Sequence, residues 1–99
     1  MANPVVSNTT PLSTLARVGC LEWIPQRWGH VCIPRAVWRE LECLRDTSAL
    51  ERLRNAVTAG WIRMVGVSNP ANVRGFLNRL DEGEAEALVL AKELRVPLV

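Results

Sequence analysis

The stretch Pro4-Val5-Val6-Ser7-Asn8-Thr9-Thr10-Pro11-Leu12 predicts a short buried strand that runs directly into a polar turn and a helix. Its two β-branched valines follow a proline, which favours extended backbone. Asn8, Thr9 or Thr10 can accept a hydrogen bond from the first free amides of the helix, and Pro11 suits its first position. Because open α/β sheets bind ligands at the carboxyl ends of their strands, this turn is a candidate site. The alternative is that Asn8 only caps the helix.

The length and composition indicate one globular domain over residues 1–99. Hydrophobic residues form 48% of the chain and charged residues 22%, which is typical of an ordered domain. No run approaches the ~20 apolar residues that cross a bilayer, and no signal-peptide pattern is present. We therefore expect a cytoplasmic protein without a membrane segment. The net charge of +2 is too small to indicate nucleic-acid binding by itself.

The cysteines and the histidine exclude several kinds of site. Cys20, Cys32 and Cys43 are odd in number and widely spaced, so neither a disulfide framework nor a zinc site is indicated. We expect three buried free thiols. His30 is the only histidine, which argues against any site built from two imidazoles of one chain.

Apolar periodicity and turn residues predict strands that alternate with pairs of helices. The predicted strands are 5–6, 31–33 and 61–67, with a fourth that begins at 96–99, and the predicted helices are 11–18, 21–28, 35–44, 49–59, 71–80 and 84–95. Thr47 or Ser48 is the expected cap of the fourth helix. This order predicts an α/β fold, a mostly parallel sheet with helices on its faces.

Two glutamates lie at the edges of predicted apolar helix faces. Glu40 is in the helix after the second strand, and Glu84 begins the helix before the fourth and is expected to point with its core side. Each has a structural alternative, since Glu84 gains from the helix dipole and the alkyl part of Glu40 can cover the core. Together with Asn8 they can converge on one cleft. Clustered carboxylate oxygens suit a hard cation such as Mg²⁺ or Mn²⁺.

Three segments carry a family resemblance. Residues 5–12, 33–41 and 80–88, which read VVSNTTPL, IPRAVWREL and LDEGEAEAL, resemble the PIN-domain nucleases, in particular their compact prokaryotic branch related to toxins of toxin–antitoxin modules. The resemblance implies a Rossmann-like fold of three α/β/α layers and an acidic pocket that holds Mg²⁺ or Mn²⁺. It also implies hydrolysis of RNA by a metal-activated water.

The resemblance also implies roles for four residues. Asn8 stands where the first catalytic aspartate is usual, Glu40 matches the second acid, Glu84 matches the third, and Thr10 matches a hydroxyl residue close to the metal. Asn8, Glu40 and Glu84 are thus the expected catalytic and metal-binding residues. The amide of Asn8 can ligate a metal but has no charge, so a cation should bind less tightly than with aspartate.

The end of the sequence departs from the family pattern. Similar chains continue past the fourth strand into another acidic residue, a helix and a strand, whereas this sequence stops at Val99. We expect a fold that is incomplete at the C-terminus, with an open sheet edge that pairs with a second copy or a complementing chain.

A different class of function is also open. An inactive PIN-like domain can act as an interaction module that binds a partner such as an antitoxin, and four tryptophans exceed what so small a core is expected to bury. A nucleotide-binding Rossmann domain is disfavoured because no glycine-rich loop follows the first strand.

Overall fold

Three short parallel strands form the sheet, and helices flank it. The computed structural model describes residues 4–99. The elements in chain order are β1 (Val5–Val6), α1 (Thr9–Val18), α2 (Trp23–Trp28), β2 (Val31–Ile33), α3 (Arg35–Glu42), α4 (Thr47–Ala59), β3 (Ile62–Met64), α5 (Pro70–Arg74) and α6 (Glu82–Leu94). The sheet order is β1-β2-β3, and both pairings are parallel. The predicted α/β class with a parallel sheet is confirmed.

The last residues of the chain lie on the free side of β1. Leu98 forms an isolated parallel bridge with Val6. The Val6 N–H donates to the Pro97 carbonyl at 2.9 Å, and the Val99 N–H donates to the Val6 carbonyl at 2.8 Å. A fourth extended segment beside β1 is therefore present, where the sequence predicts the beginning of a strand.

The core lies between the sheet and its helices. All residues of β1 and β2 are buried, as the apolar runs in the sequence predict. On one side α1 packs against α4, where Leu12 and Ala16 meet the core cluster that includes Leu53 and Ala56. Both faces of these strands are covered, which is why they are apolar throughout, and polar turns begin where the chain leaves the core.

Most helix boundaries differ from the sequence prediction by one or two residues, and a few differ in kind. α1 begins at Thr9, so Pro11 is its third residue and not its first. The cap of α4 is Asp46, whose Oδ1 accepts from the Ala49 N–H at 3.0 Å, rather than Thr47 or Ser48. β3 covers only 62–64 of the predicted 61–67. The helix predicted over 71–80 is the shorter α5 followed by turns, because only Val73 of α5 is buried and the apolar side chains beyond it pack partly or are exposed.

The cysteines and tryptophans differ in exposure. Cys32 is buried, Cys20 is half-buried and Cys43 is exposed, so the prediction of three buried thiols is wrong for two of them; all three are free thiols. Cys43 is exposed because it lies at the end of α3 rather than on its core side. Trp23 is 58% exposed, while the other three tryptophans pack partly against the core. Within residues 4–99, no helix has the length and apolar character to span a bilayer.

Candidate functional site

The carboxyl ends of the strands meet the facing surfaces of α3 and α6. β1 leads into the turn at Asn8, β2 leads through Pro34 into α3, and β3 leads into Gly66 and Val67. α3 packs along α6, and α6 also contacts β1. This is the sheet edge at which open α/β folds bind their ligands.

Glu40 is held at this edge by two neighbours. Its Oε2 accepts a hydrogen bond from the Thr9 hydroxyl at 2.7 Å. Its Oε1 lies where a Cβ on Gly83 would be placed, so a side chain at position 83 would have to displace the Glu40 carboxylate. Gly83 therefore allows the Glu40 carboxylate to lie directly against the first turn of α6. The sequence predicted Glu40 as a site residue but gave no reason to pair it with Thr9 or Gly83.

Asn8 directly precedes Thr9 in the chain and caps α1. Its Oδ1 accepts from the Thr9 N–H at 2.9 Å, and its own N–H donates to the Val99 carbonyl at 3.0 Å. The expected capping role is thus confirmed. An amide oxygen has two lone pairs, so the cap leaves one of them free for a ligand. Thr9, the half-buried first residue of α1, makes the contact to Glu40. Thr10 is exposed, and its carbonyl accepts from the Ser13 hydroxyl.

Glu84 takes a different position from the one that the sequence indicated. Its Oε1 accepts from the Asp81 N–H at 3.2 Å, while the Glu84 N–H donates to the Asp81 carboxylate at 2.8 Å. This reciprocal capping box satisfies two free amides of α6 and draws the exposed side chain back along the helix. The prediction that Glu84 points with the core side is wrong for this reason. Its backbone follows Gly83 and so lies beside Glu40, but its carboxylate is bound at the cap.

The structure therefore links Glu40 to Thr9, the residue after Asn8, and holds the Glu84 carboxylate at the start of α6. Among residues 4–99, no three side chains of histidine, cysteine, aspartate or glutamate converge closely enough to hold a metal ion.

A groove of about 320 Å³ lies between α3, α5 and α6. Its charged lining residues are Arg35, Arg39, Arg74, Glu82 and Glu86, and its apolar lining includes Val67, Val73 and Leu77. Arg39 and Glu82 form an ion pair. The same pair also lines a second hollow of about 250 Å³ that contains Glu40, so it separates the groove from the Glu40 carboxylate.

Glu86 is a site residue that the sequence reasoning missed. Its half-buried Oε1 accepts from the Ala36 N–H in the first turn of α3 at 3.1 Å. The available signal was its spacing, because Gly83 and Glu86 are three residues apart on α6 and share a helix face.

Two pKa shifts occur around Arg63, on β3. Burial and then the Arg63 charge lower the pKa of His30, which precedes β2. Burial raises the pKa of the Cys32 thiol, although Arg63 acts in the opposite direction. The buried Cys32 thiol is thus kept protonated and is a poor nucleophile.

The family model DUF3368, described as a PIN domain, matches residues 4–99. The chain belongs to the PIN-domain family. This family is of nuclease type, and its members generally depend on a divalent metal. No curated protein matches this PIN domain.

The oxygen donors beside Gly83 fit a hard divalent cation in kind. The carboxylate of Glu40, the amide oxygen of Asn8 and the hydroxyl of Thr9 are the oxygen ligands that Mg²⁺ and Mn²⁺ accept. The absence of a Cβ at Gly83 leaves the space that the Glu40 carboxylate occupies. With one carboxylate and two neutral donors in this PIN domain, a cation should bind only moderately.

Proposed function

We propose that this PIN domain is a divalent-metal-dependent endoribonuclease. The observation that carries the proposal is the Glu40 carboxylate, held between the Thr9 hydroxyl and the backbone of Gly83 at the ligand-binding edge of the sheet. Membership of a nuclease-type family supports the reaction class.

Glu40 and Asn8 would hold the Mg²⁺ or Mn²⁺ ion, and Glu84 would join them from the first turn of α6. When bound, the ion lowers the pKa of a water and neutralises charge on the phosphate. The Thr9 hydroxyl donates to one oxygen of Glu40 and so fixes the orientation of the carboxylate. The catalytic role of Glu84 requires its side chain to leave the capping box with Asp81, at a cost of about 1 kcal/mol.

The arginines of the groove support RNA as the substrate. In the part of the chain that the structure describes, neither Arg35 nor Arg74 forms an ion pair, so both guanidinium groups are available to bind phosphate. Arg39 is occupied by Glu82 and lies between the groove and Glu40. A phosphodiester backbone in the groove would reach the Glu40 carboxylate only past the Arg39–Glu82 ion pair, so cleavage at Glu40 requires this exposed pair to open.

RNA cleavage as a function of Mn²⁺ concentration tests this proposal. Glu40→Gln and Glu84→Gln should each lower the rate by at least about 100-fold, because each removes a negative metal ligand. Glu51→Gln, an exposed change on α4, is the matched control and should keep the wild-type rate. Cleavage at the wild-type rate in Glu40→Gln would exclude the assigned site.

A second candidate function is a protein-binding module, in which the partner is an antitoxin-like protein. Val18 at the end of α1 is 66% exposed and Trp23 at the start of α2 is 58% exposed, so two large apolar side chains near this helix connection face solvent. Pull-down of the product of a neighbouring small gene by the wild type, but not by Trp23→Ala, would support binding. Binding without cleavage at any metal concentration would favour this function over the nuclease.

We also propose that a second copy or a complementing chain pairs along the edge at Leu98. Leu98 is 40% exposed and Val99 38% exposed, and an uncovered apolar edge favours pairing. Light scattering over a concentration series tests this, and a monomer at all concentrations would contradict it.

A further inference from the structure

We propose that Glu86 is a positioning residue, whose carboxylate caps the neighbouring helix α3 and thereby holds Glu40 against Gly83. The proposal deepens the proposed nuclease function and rests on it for the role of Glu40. The contact that carries it is the hydrogen bond from the Ala36 N–H to Glu86 Oε1, at 3.1 Å.

The amino end of α3 has no cap from its own sequence. Its N-cap residue is Pro34, which makes no side-chain hydrogen bond to the helix, and the first turn of α3 contains no acidic residue. The first amides of a helix need acceptors, and a negative charge beside them is favourable because of the helix dipole. Glu86, on α6, supplies an acceptor and a negative charge to the amino end of α3, which has no cap of its own.

The same interface also fixes Glu40. Ala36 and Glu40 are four residues apart and share one face of α3, while Glu86 and Gly83 share one face of α6. Ala36 contacts Glu86, and one turn further along α3 Glu40 contacts Gly83, which lies one turn earlier on α6. The two helices therefore run antiparallel at this interface. An antiparallel helix pair with two such contacts cannot slide by one turn unless both contacts break. The Glu86 contact therefore sets the axial position of the Glu40 carboxylate.

The two glutamates of α6 thus have separate tasks. Glu84 is exposed and completes the cap of α6, whereas Glu86 is half-buried and caps α3. Because the two side chains satisfy different helix ends, replacing Glu84 should leave the Ala36 amide protected.

Hydrogen exchange and Mn²⁺ binding test the proposal with the intact chain. In Glu86→Ala, the Ala36 amide should exchange roughly 5-fold faster, the effect of losing one helix cap. Binding of Mn²⁺ alone, measured by electron paramagnetic resonance, should weaken by about 10-fold or more, as for other residues that orient a metal ligand. Glu86→Gln keeps a carbonyl acceptor for Ala36 and should restore most of both properties. Glu51→Ala serves as the control for loss of an exposed carboxylate.

The possible outcomes separate this proposal from the proposed function. Wild-type Mn²⁺ affinity in Glu86→Ala, or a Glu86→Gln variant that binds as weakly as Glu86→Ala, would overturn the positioning role. If the wild type binds no Mn²⁺, the nuclease proposal fails, and the ¹³C resonance of the Glu40 carboxyl group decides the positioning role by itself. A shift of that resonance in Glu86→Ala but not in Glu51→Ala supports it, and an unchanged resonance overturns it.

Discussion

The helix pairs α1/α4 and α3/α6 each contain a charged side chain that binds the end of the neighbouring helix, but the charges and the rest of the two interfaces differ. In α1/α4 the contact is apolar, and one charged side chain binds the end of the neighbouring helix: Arg52 donates to the Ala16 carbonyl near the carboxyl end of α1 at 2.7 Å. In α3/α6 the corresponding contact is from Glu86 to the amino end of α3. A cation at the carboxyl end of a helix and an anion at its amino end both interact favourably with the helix dipole.

The difference lies in the remaining charges. Beyond its capping contact, the α3/α6 pair carries the Arg39–Glu82 ion pair and the Glu40 carboxylate, and all three side chains line a hollow. The side chains of Arg39 and Glu82 are 64% and 54% exposed, and an ion pair so exposed adds at most about 1 kcal/mol of stability. These charges therefore contribute little to folding, whereas the apolar contact of α1/α4 contributes to folding directly.

The largest expected effect is on α1/α4. Leu53→Ala should lower the free energy of unfolding by about 2 to 5 kcal/mol, because Leu53 is completely buried in the core and its removal leaves a cavity. Chemical denaturation measures this change, with the exposed Leu77→Ala as control. A loss below about 1 kcal/mol would contradict the assignment of α1/α4 as the stabilising pair.

The capping contact of α1/α4 should contribute less. Arg52→Ala is expected to lower the free energy of unfolding by about 1 to 2 kcal/mol, since it leaves the Ala16 carbonyl without this charged donor. Arg54→Ala is the matched control, because the Arg54 guanidinium is 4.0 Å from its only ion-pair partner among residues 4–99, Glu42. Equal losses of stability in the two variants would show that Arg52 does not cap α1 in the way that Glu86 caps α3.

Gly83→Ala tests the contact between Gly83 and Glu40 at α3/α6. In a helix this change stabilises by at most about 1 kcal/mol, and by less in the first turn, where Gly83 lies, but here the new Cβ would displace the Glu40 carboxylate. We expect a smaller gain in the wild-type background than when Glu40→Ala is also present, with a difference of at most about 1 kcal/mol. Denaturation of the four members of this cycle measures the coupling. Gly75→Ala meets only the Asn72 carbonyl at 3.6 Å and should not depend on Glu40.

The smallest expected effect is that of His30, which lies outside both helix pairs, on the pH dependence of stability. Folding lowers the pKa of His30, so its contribution is fully present above the unfolded value of 6.5 and is lost as the pH falls through the folded value. His30→Gln should therefore lose less stability than the wild type between about pH 7.5 and pH 5.5. Thermal unfolding at both pH values measures this, and equal losses would contradict the role of His30.

Much of the fold followed from patterns within the chain. The run 4–12 predicted β1, the polar turn and α1, and the cap at Asn8 was among the roles expected for that turn. The position of Glu40 beside an apolar helix face followed from periodicity, which identifies a face. Periodicity gives no axial register between two helices, so neither the contact of Glu40 with Gly83 nor that of Glu86 with Ala36 could be predicted.

By itself, the sequence carried the motifs of the PIN family. It also determined the order of strands and helices, the bounds of β1 and β2 and the ends of α1, α2 and α4, because local hydrogen bonds and apolar spacing act within one or two turns of the chain. Only the tertiary structure decided which carboxylate has which task. Glu84 remains at its own helix end, Glu86 binds the neighbouring helix, and Glu40 lies on a glycine far away in sequence. The physical reason is that each carboxylate binds the donors that packing brings within reach, and packing depends on the whole chain.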